Sequence, residues 1–300
     1  MPNPVLMAQA IGIAAFLAVI ISWSLGRSGV SGGAVGVGLG VFAGAWVLGL
    51  TPQVPPRGAL DRLQLILIPA IVLTEVVITS RTWWVGWVLR ATVAVLAAPL
   101  LVYGSSYVTD LSGPGSREWT TGIAAAIFTS LAAVLMLVWI LLTQLATQAS
   151  RSATIAVAIT AAGTAVTMML SGYATGGQLG LPLAAAVGVI AFSDSRHASG
   201  AVAVAIVTLF SLLVIGRLFA GLTTLHAVGL FATPLLACVP DLPQLRQWGP
   251  RTRATLRVVL TAVPVVLVLW LAQQKFAEDS GPSSEGSSNA TFSDYLDYSK

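Results

Sequence analysis

The chain has 300 residues, 56% of them hydrophobic and 9% charged, with mean hydropathy +0.87; a water-soluble domain carries about 25% charged residues, so this composition excludes one. The net charge is +4, yet the arginines stand singly between apolar runs and cluster only at Arg246 to Arg257, which argues against a nucleic-acid partner and reads as a topology signal. The lone Cys238 excludes an intrachain disulfide and a thiolate metal cluster.

The apolar runs lack period-two alternation, so helices must satisfy the backbone in lipid, at roughly 20 residues per crossing. The fold class expected is all-α: a polytopic helical transmembrane bundle of about nine or ten spans over residues 1–272. A flexible, acidic, Ser/Gly-rich tail is expected over 273–300. The first apolar run, Val5–Leu25, has no basic region before it and no clear cleavage site, so it reads as a retained helix.

The second run, Ser28 to Leu50, carries Gly32, Gly36, Gly40 and Gly44 at every fourth position, with Ser28 extending the row. One helical ridge is thereby reduced to bare backbone, the usual device for close helix contact in lipid, and span one is the nearest partner. Thr51–Arg62 is a proline-rich loop, followed by spans at Leu63–Thr79 and Trp83–Tyr103 joined by a tight turn at Ser80–Thr82. Gly104–Trp119 reads as a polar loop containing Asp110, Arg117 and Glu118, and Thr120–Thr147 as a long fifth span. Ala153–Gly172 sets Thr160, Thr164, Thr167 and Ser171 near one face. Those hydroxyls either bond their own i−4 carbonyls or line a solute path.

A Gly-rich break is read at Gly176–Gly180, and Leu181–Phe192 is short enough to be re-entrant, which leaves the span count at nine or ten. The loop Ser193–Gly200, with Asp194, Arg196 and His197, reads as a solvated turn. Spans at Ala201–Ile215 and Leu218–Cys238, a basic loop Val239–Arg257 and a last span Val258–Ala272 complete the chain. Trp23, Trp46, Trp83, Trp84, Trp119 and Trp270 fall near span ends, as interfacial aromatics do. The positive-inside rule puts the Arg246–Arg257 loop in the cytoplasm and the C-terminal tail outside it, with nine spans or ten.

An ionisable residue within a span is the default functional candidate. Glu75 and Arg90 flank the Ser80–Thr82 turn at similar depth, and the expected ion pair either pins the hairpin or couples transport to protons or ions. His226 stands alone, with no second His, Cys or carboxylate at metal spacing. No stretch carries a catalytic set, a cofactor motif or a metal motif, so catalytic, cofactor-binding and metal residues are expected to be none. The partners expected are the bilayer and a membrane-protein partner or second copy. The function expected is a small-solute transporter, with a non-catalytic membrane subunit as the alternative.

Overall fold

The computed structural model describes residues 3–26, 31–80, 83–109, 119–193, 195–245 and 247–280. Ser28, Arg81, Asp110, Arg117, Glu118, Asp194, Arg246 and the tail beyond Ser280 lie outside the described residues. Among the described residues there is no strand.

Among the described residues, ten apolar helices follow in order. They are α1 Pro4–Leu25, α2 Gly32–Val47, α3 Ala59–Thr79, α4 Trp83–Val102, α5 Thr121–Gln148, α6 Ser150–Leu170, α7 Ala174–Ile190, α8 Ala198–Phe219, α9 Thr224–Asp241 and α10 Pro250–Ser280. Eight are long and apolar enough to cross a membrane, and α2 and α7 are shorter. At 1.5 Å per residue the short pair span only about 24–26 Å.

Local chemistry sets the ends. Asn3 caps α1 by accepting from the Val5 amide, with Pro4 at the first helical position. Thr120 caps α5 and Thr223 caps α9 in the same way. Helices α2, α4, α6 and α8 are each followed by a glycine at positive φ, Gly49, Gly104, Gly172 and Gly221. That left-handed residue turns the Leu50 and Tyr173 amides back to the Ala45 and Met168 carbonyls. Within α3, residues Leu63–Leu67 form a π-helical stretch directly before Ile68-Pro69. The widened turn accommodates a proline that has no amide hydrogen to donate.

Helix α8 is the central post. Its apolar window is 94% buried, against 22% for α1 and for α10, and it packs on α2, α3, α4, α5, α6, α7 and α9. Its sequence is apolar on every face, as a helix surrounded by others requires. Around it stand three groups: α1 with α2 and α7, α3 with α4 and α5, and α6 with α9 and α10. The outer faces carry exposed apolar side chains such as Phe16, Leu73, Val95, Leu137 and Leu267, the outward apolarity that lipid demands.

The glycine row lies along α1. A methyl group on Gly36 would stand 2.6 Å from the Ala18 carbonyl oxygen, on Gly40 2.6 Å from that of Ala14, and on Gly32 2.8 Å from that of Ser22. On Gly44 it would meet Pro182 of α7 at 2.6 Å and the Ala10 carbonyl at 3.2 Å. Ala10, Ala14, Ala18 and Ser22 are all fully buried, so a second small-residue row on α1 faces the first, antiparallel to it.

These contacts set the directions of the helices. The start of α1 touches the end of α2; Gly44 of α2 meets Pro182 at the middle of α7 and Gly40 meets Ala186 further along it, so α7 runs antiparallel to α2 and starts where α2 ends. Gly177 of α7 lies on Met169 near the end of α6, and Ser171 shares a small cavity with Lys275 near the end of α10. Helix α1 therefore begins, and α10 ends, at one face of the bundle, here the near face; the opposite end is the far face.

Three expectations change. The Gly176–Gly180 break is helical, because Gly177 and Gly180 let α7 approach Ala165 of α6 closely enough to offset glycine's poor propensity. Leu181–Ile190 is thus the latter part of a 17-residue helix, and Ala191 and Phe192 lie in the turn after it. The segment carrying Arg251, Arg253 and Arg257 is no loop but the first turns of α10, which also continues past Ala272 through Ser280.

Candidate functional site

Two neighbouring helices, α3 and α4, create the charge cluster around Glu75. Arg90 of α4 donates from Nε to Glu75 Oε1 at 2.9 Å and from Nη2 to Oε2 at 3.0 Å. The side chains are 18% and 5% exposed respectively. Bidentate geometry of this kind is among the strongest a guanidinium makes. The guanidinium also lies 5.6 Å from the ring centroid of Trp139, which α5 supplies from the core. The Trp139 indole N–H faces the carboxylate without meeting hydrogen-bond geometry and has no partner. A proton or cation arriving at Glu75 must therefore compete with Arg90 for the same two oxygens, while Trp139 offers the displaced guanidinium an aromatic face.

The hydroxyl face of α6 is mostly self-satisfied. Thr160 donates to the Ala156 carbonyl at 3.0 Å, Thr167 to Gly163 at 2.8 Å and Ser171 to Thr167 at 2.9 Å. Thr164 alone has no partner, although it is fully buried. Buried Gln64 in the π-helical stretch and Thr208 at the middle of α8 also hold an unpartnered oxygen. His226 lies at the near face, where it lines a cavity of about 200 Å³ with Ser171, Thr223 and Lys275. It joins neither the Glu75–Arg90 pair nor Thr160 and Thr164.

A larger near-face cavity, about 320 Å³, sits where α3 begins, α4 and α8 end and α6 turns into α7. Arg57, Arg62, Tyr103, Tyr173, Leu101 and Phe219 are among its walls. Arg62 donates to the backbone carbonyls of Tyr103, Leu101 and Arg57 and stacks 5.6 Å from the Tyr103 ring centroid. It thereby closes the C-terminal end of α4. Beside the cavity Tyr107, Trp119, Phe128 and Phe219 form an aromatic chain, with Tyr107 and Trp119 at 5.1 Å between centroids, a composition suited to a membrane interface.

At the far face, Arg257 ties three helices: it donates to Ser152 Oγ of α6 at 3.2 Å and to Asp241 Oδ1 of α9 at 2.5 Å. His197, read from sequence as part of a solvated turn, is 6% exposed. Its imidazole fills the space left by Gly26 and Gly32, and its carbonyl presses on Gly33. Bare backbone on the α1–α2 hairpin admits a ring that a Cβ would exclude.

Sequence reasoning also missed Trp139. The available signal was its position: unlike most of the chain's tryptophans it stands inside a span, away from either end. Among the described residues no three His, Cys, Asp or Glu side chains stand close enough to hold a metal ion. No protein-family model, curated protein or solved structure matches this chain.

Proposed function

We propose that this integral membrane protein is a small-solute permease in which α3 carries the transport machinery. One observation carries the reading: a carboxylate buried within a span is held by a single displaceable arginine on the neighbouring helix. The same helix supports it elsewhere. Helix α3 opens at the near-face cavity with Arg62, continues through the π-helical stretch with its unpartnered Gln64, and reaches Glu75 toward the far face. Single π turns of this sort recur at working sites because they loosen a helix locally. In this mechanism a proton or cation on Glu75 releases Arg90 toward Trp139 and frees α3 from α4. No catalysis is assigned to the chain.

The arginine distribution supports an orientation. Among the described residues, Arg151, Arg196, Arg251, Arg253 and Arg257 fall toward the far face and Arg57, Arg62 and Arg217 toward the near face. The positive-inside rule makes the far face cytoplasmic and both termini extracytoplasmic.

The alternative, a non-catalytic membrane subunit, draws on the mutual satisfaction of Glu75 and Arg90 and on the self-bonded threonines. A flux screen in proteoliposomes decides. A permease shows saturable uptake that Glu75→Gln uncouples from the proton or ion gradient while the protein stays folded. Loss of folded yield with Glu75→Gln, absence of flux and stoichiometric copurification with another membrane protein from native membranes would establish the subunit instead.

A further inference from the structure

The near-face cavity carries a chemistry that the charge cluster does not use. Arg57 is exposed, lines the cavity, and its side chain makes no hydrogen bond or ion pair among the described residues. Arg62 spends three N–H groups on carbonyls, which leaves two of a guanidinium's five and its full charge. The neighbouring carboxylate, Asp61, is occupied: its oxygens accept from the Gln53, Arg57 and Gly58 amides, and it is not among the walls although its charge reaches Tyr173. Among the described residues, two guanidiniums against one carboxylate leave the mouth positive. Tyr173 adds a phenol that burial pushes above its usual titration range, so it remains a protonated donor. Behind this polar rim the wall is apolar, with Leu101, Ile215 and Phe219. A volume of about 320 Å³ is at the small end of ligand sites.

We propose that this cavity binds a small organic anion, a carboxylate or phosphate monoester with an apolar body, its charge held by Arg57 and Arg62 and its body laid on Leu101, Ile215 and Phe219. As the substrate class of the permease this rests on the reading above; as a binding site it stands apart from it. Two sources supply such chemistry, a free solute and the headgroup region of an anionic lipid.

The test uses the purified full-length chain in a neutral detergent, with 4-butylbenzoate as probe and 4-butylbenzamide as its uncharged counterpart. The benzoate is expected to bind saturably and raise the melting temperature, and the amide to bind about tenfold more weakly, the worth of one charge-assisted hydrogen bond. Arg57→Gln should weaken the benzoate by about the same factor without moving the melting temperature of the free protein, and Arg57→Lys should restore most of the loss. Equal binding of amide and benzoate, or unchanged affinity in Arg57→Gln, would overturn the site. Should Arg57→Gln not fold, Arg57→Lys and the amide comparison still decide. In nanodiscs, loss of benzoate binding when phosphatidylglycerol joins phosphatidylcholine identifies a lipid as the natural occupant, and retained binding identifies a soluble anion; either result supports the site. A chain that binds the benzoate yet transports no anion would sink the permease reading and leave the site standing.

Discussion

At the scale of single residues, the buried ion pair governs what can be changed. Removing one partner of such a pair strands the other charge in a medium that solvates it poorly, at a cost of about 3–5 kcal/mol, whereas replacing both is often close to neutral. Arg90→Met should therefore lower stability by that amount, because Glu75 is 5% exposed and loses both its donors. The double variant Glu75→Gln/Arg90→Met should recover most of it. Thermal unfolding in detergent checks both, and additive losses would show that the pair is not a unit. This residue pair was legible in sequence because charges are rare enough within spans to be noticed. Trp139 beneath it was not, since one apolar side chain among many carries no mark of its tertiary neighbours.

At the scale of elements, backbone proximity controls tolerance to added volume. Gly40→Ala places a methyl 2.6 Å from the Ala14 carbonyl oxygen, whereas Gly12→Ala on α1 meets nothing within 4 Å. The first should destabilise by about 1–3 kcal/mol through overpacking. The second should be neutral, or stabilising by roughly 0.5–1 kcal/mol, through helix propensity. Melting of the two variants side by side tests the contrast, and equal shifts would move the glycine ridge out of the α1–α2 contact. Gly33→Ala should be the most disruptive single methyl, since the His197 carbonyl occupies that space. Sequence spacing exposed the glycine ridge on α2. The complementary row Ala10, Ala14, Ala18 and Ser22 is equally regular, but alanine is common throughout this chain, so its regularity does not stand out.

At the scale of the whole molecule, the ten described helices place the start of α1 and the end of α10 at one face. With Cys238 replaced by alanine, single cysteines at Asn3 and at Glu278 should react with a membrane-impermeant maleimide from the same side of intact cells. One at Thr252, near the start of α10, should be protected until the membrane is opened. Labelling of Asn3 and Glu278 from opposite sides would require an odd number of crossings. The orientation itself is tested by a C-terminal reporter, for which the arginine distribution implies activity outside the cytoplasm.

The sequence by itself determined the solvent, the all-helical backbone and most of the spans, because hydropathy over about 20 residues is a local quantity that lipid makes decisive. It also determined the depth match of Glu75 and Arg90, which follows from counting residues either side of one turn. Tertiary structure alone decided that Gly176–Gly180 is helical, since glycine's low propensity is overcome only by the neighbour it lets in. It also decided that His197 is buried among glycines and that α8 is the enclosed post, although several spans are as apolar. The physical reason is the same throughout: between helices in lipid, apolarity does not select a partner. Shape does, and shape arises where two distant stretches meet.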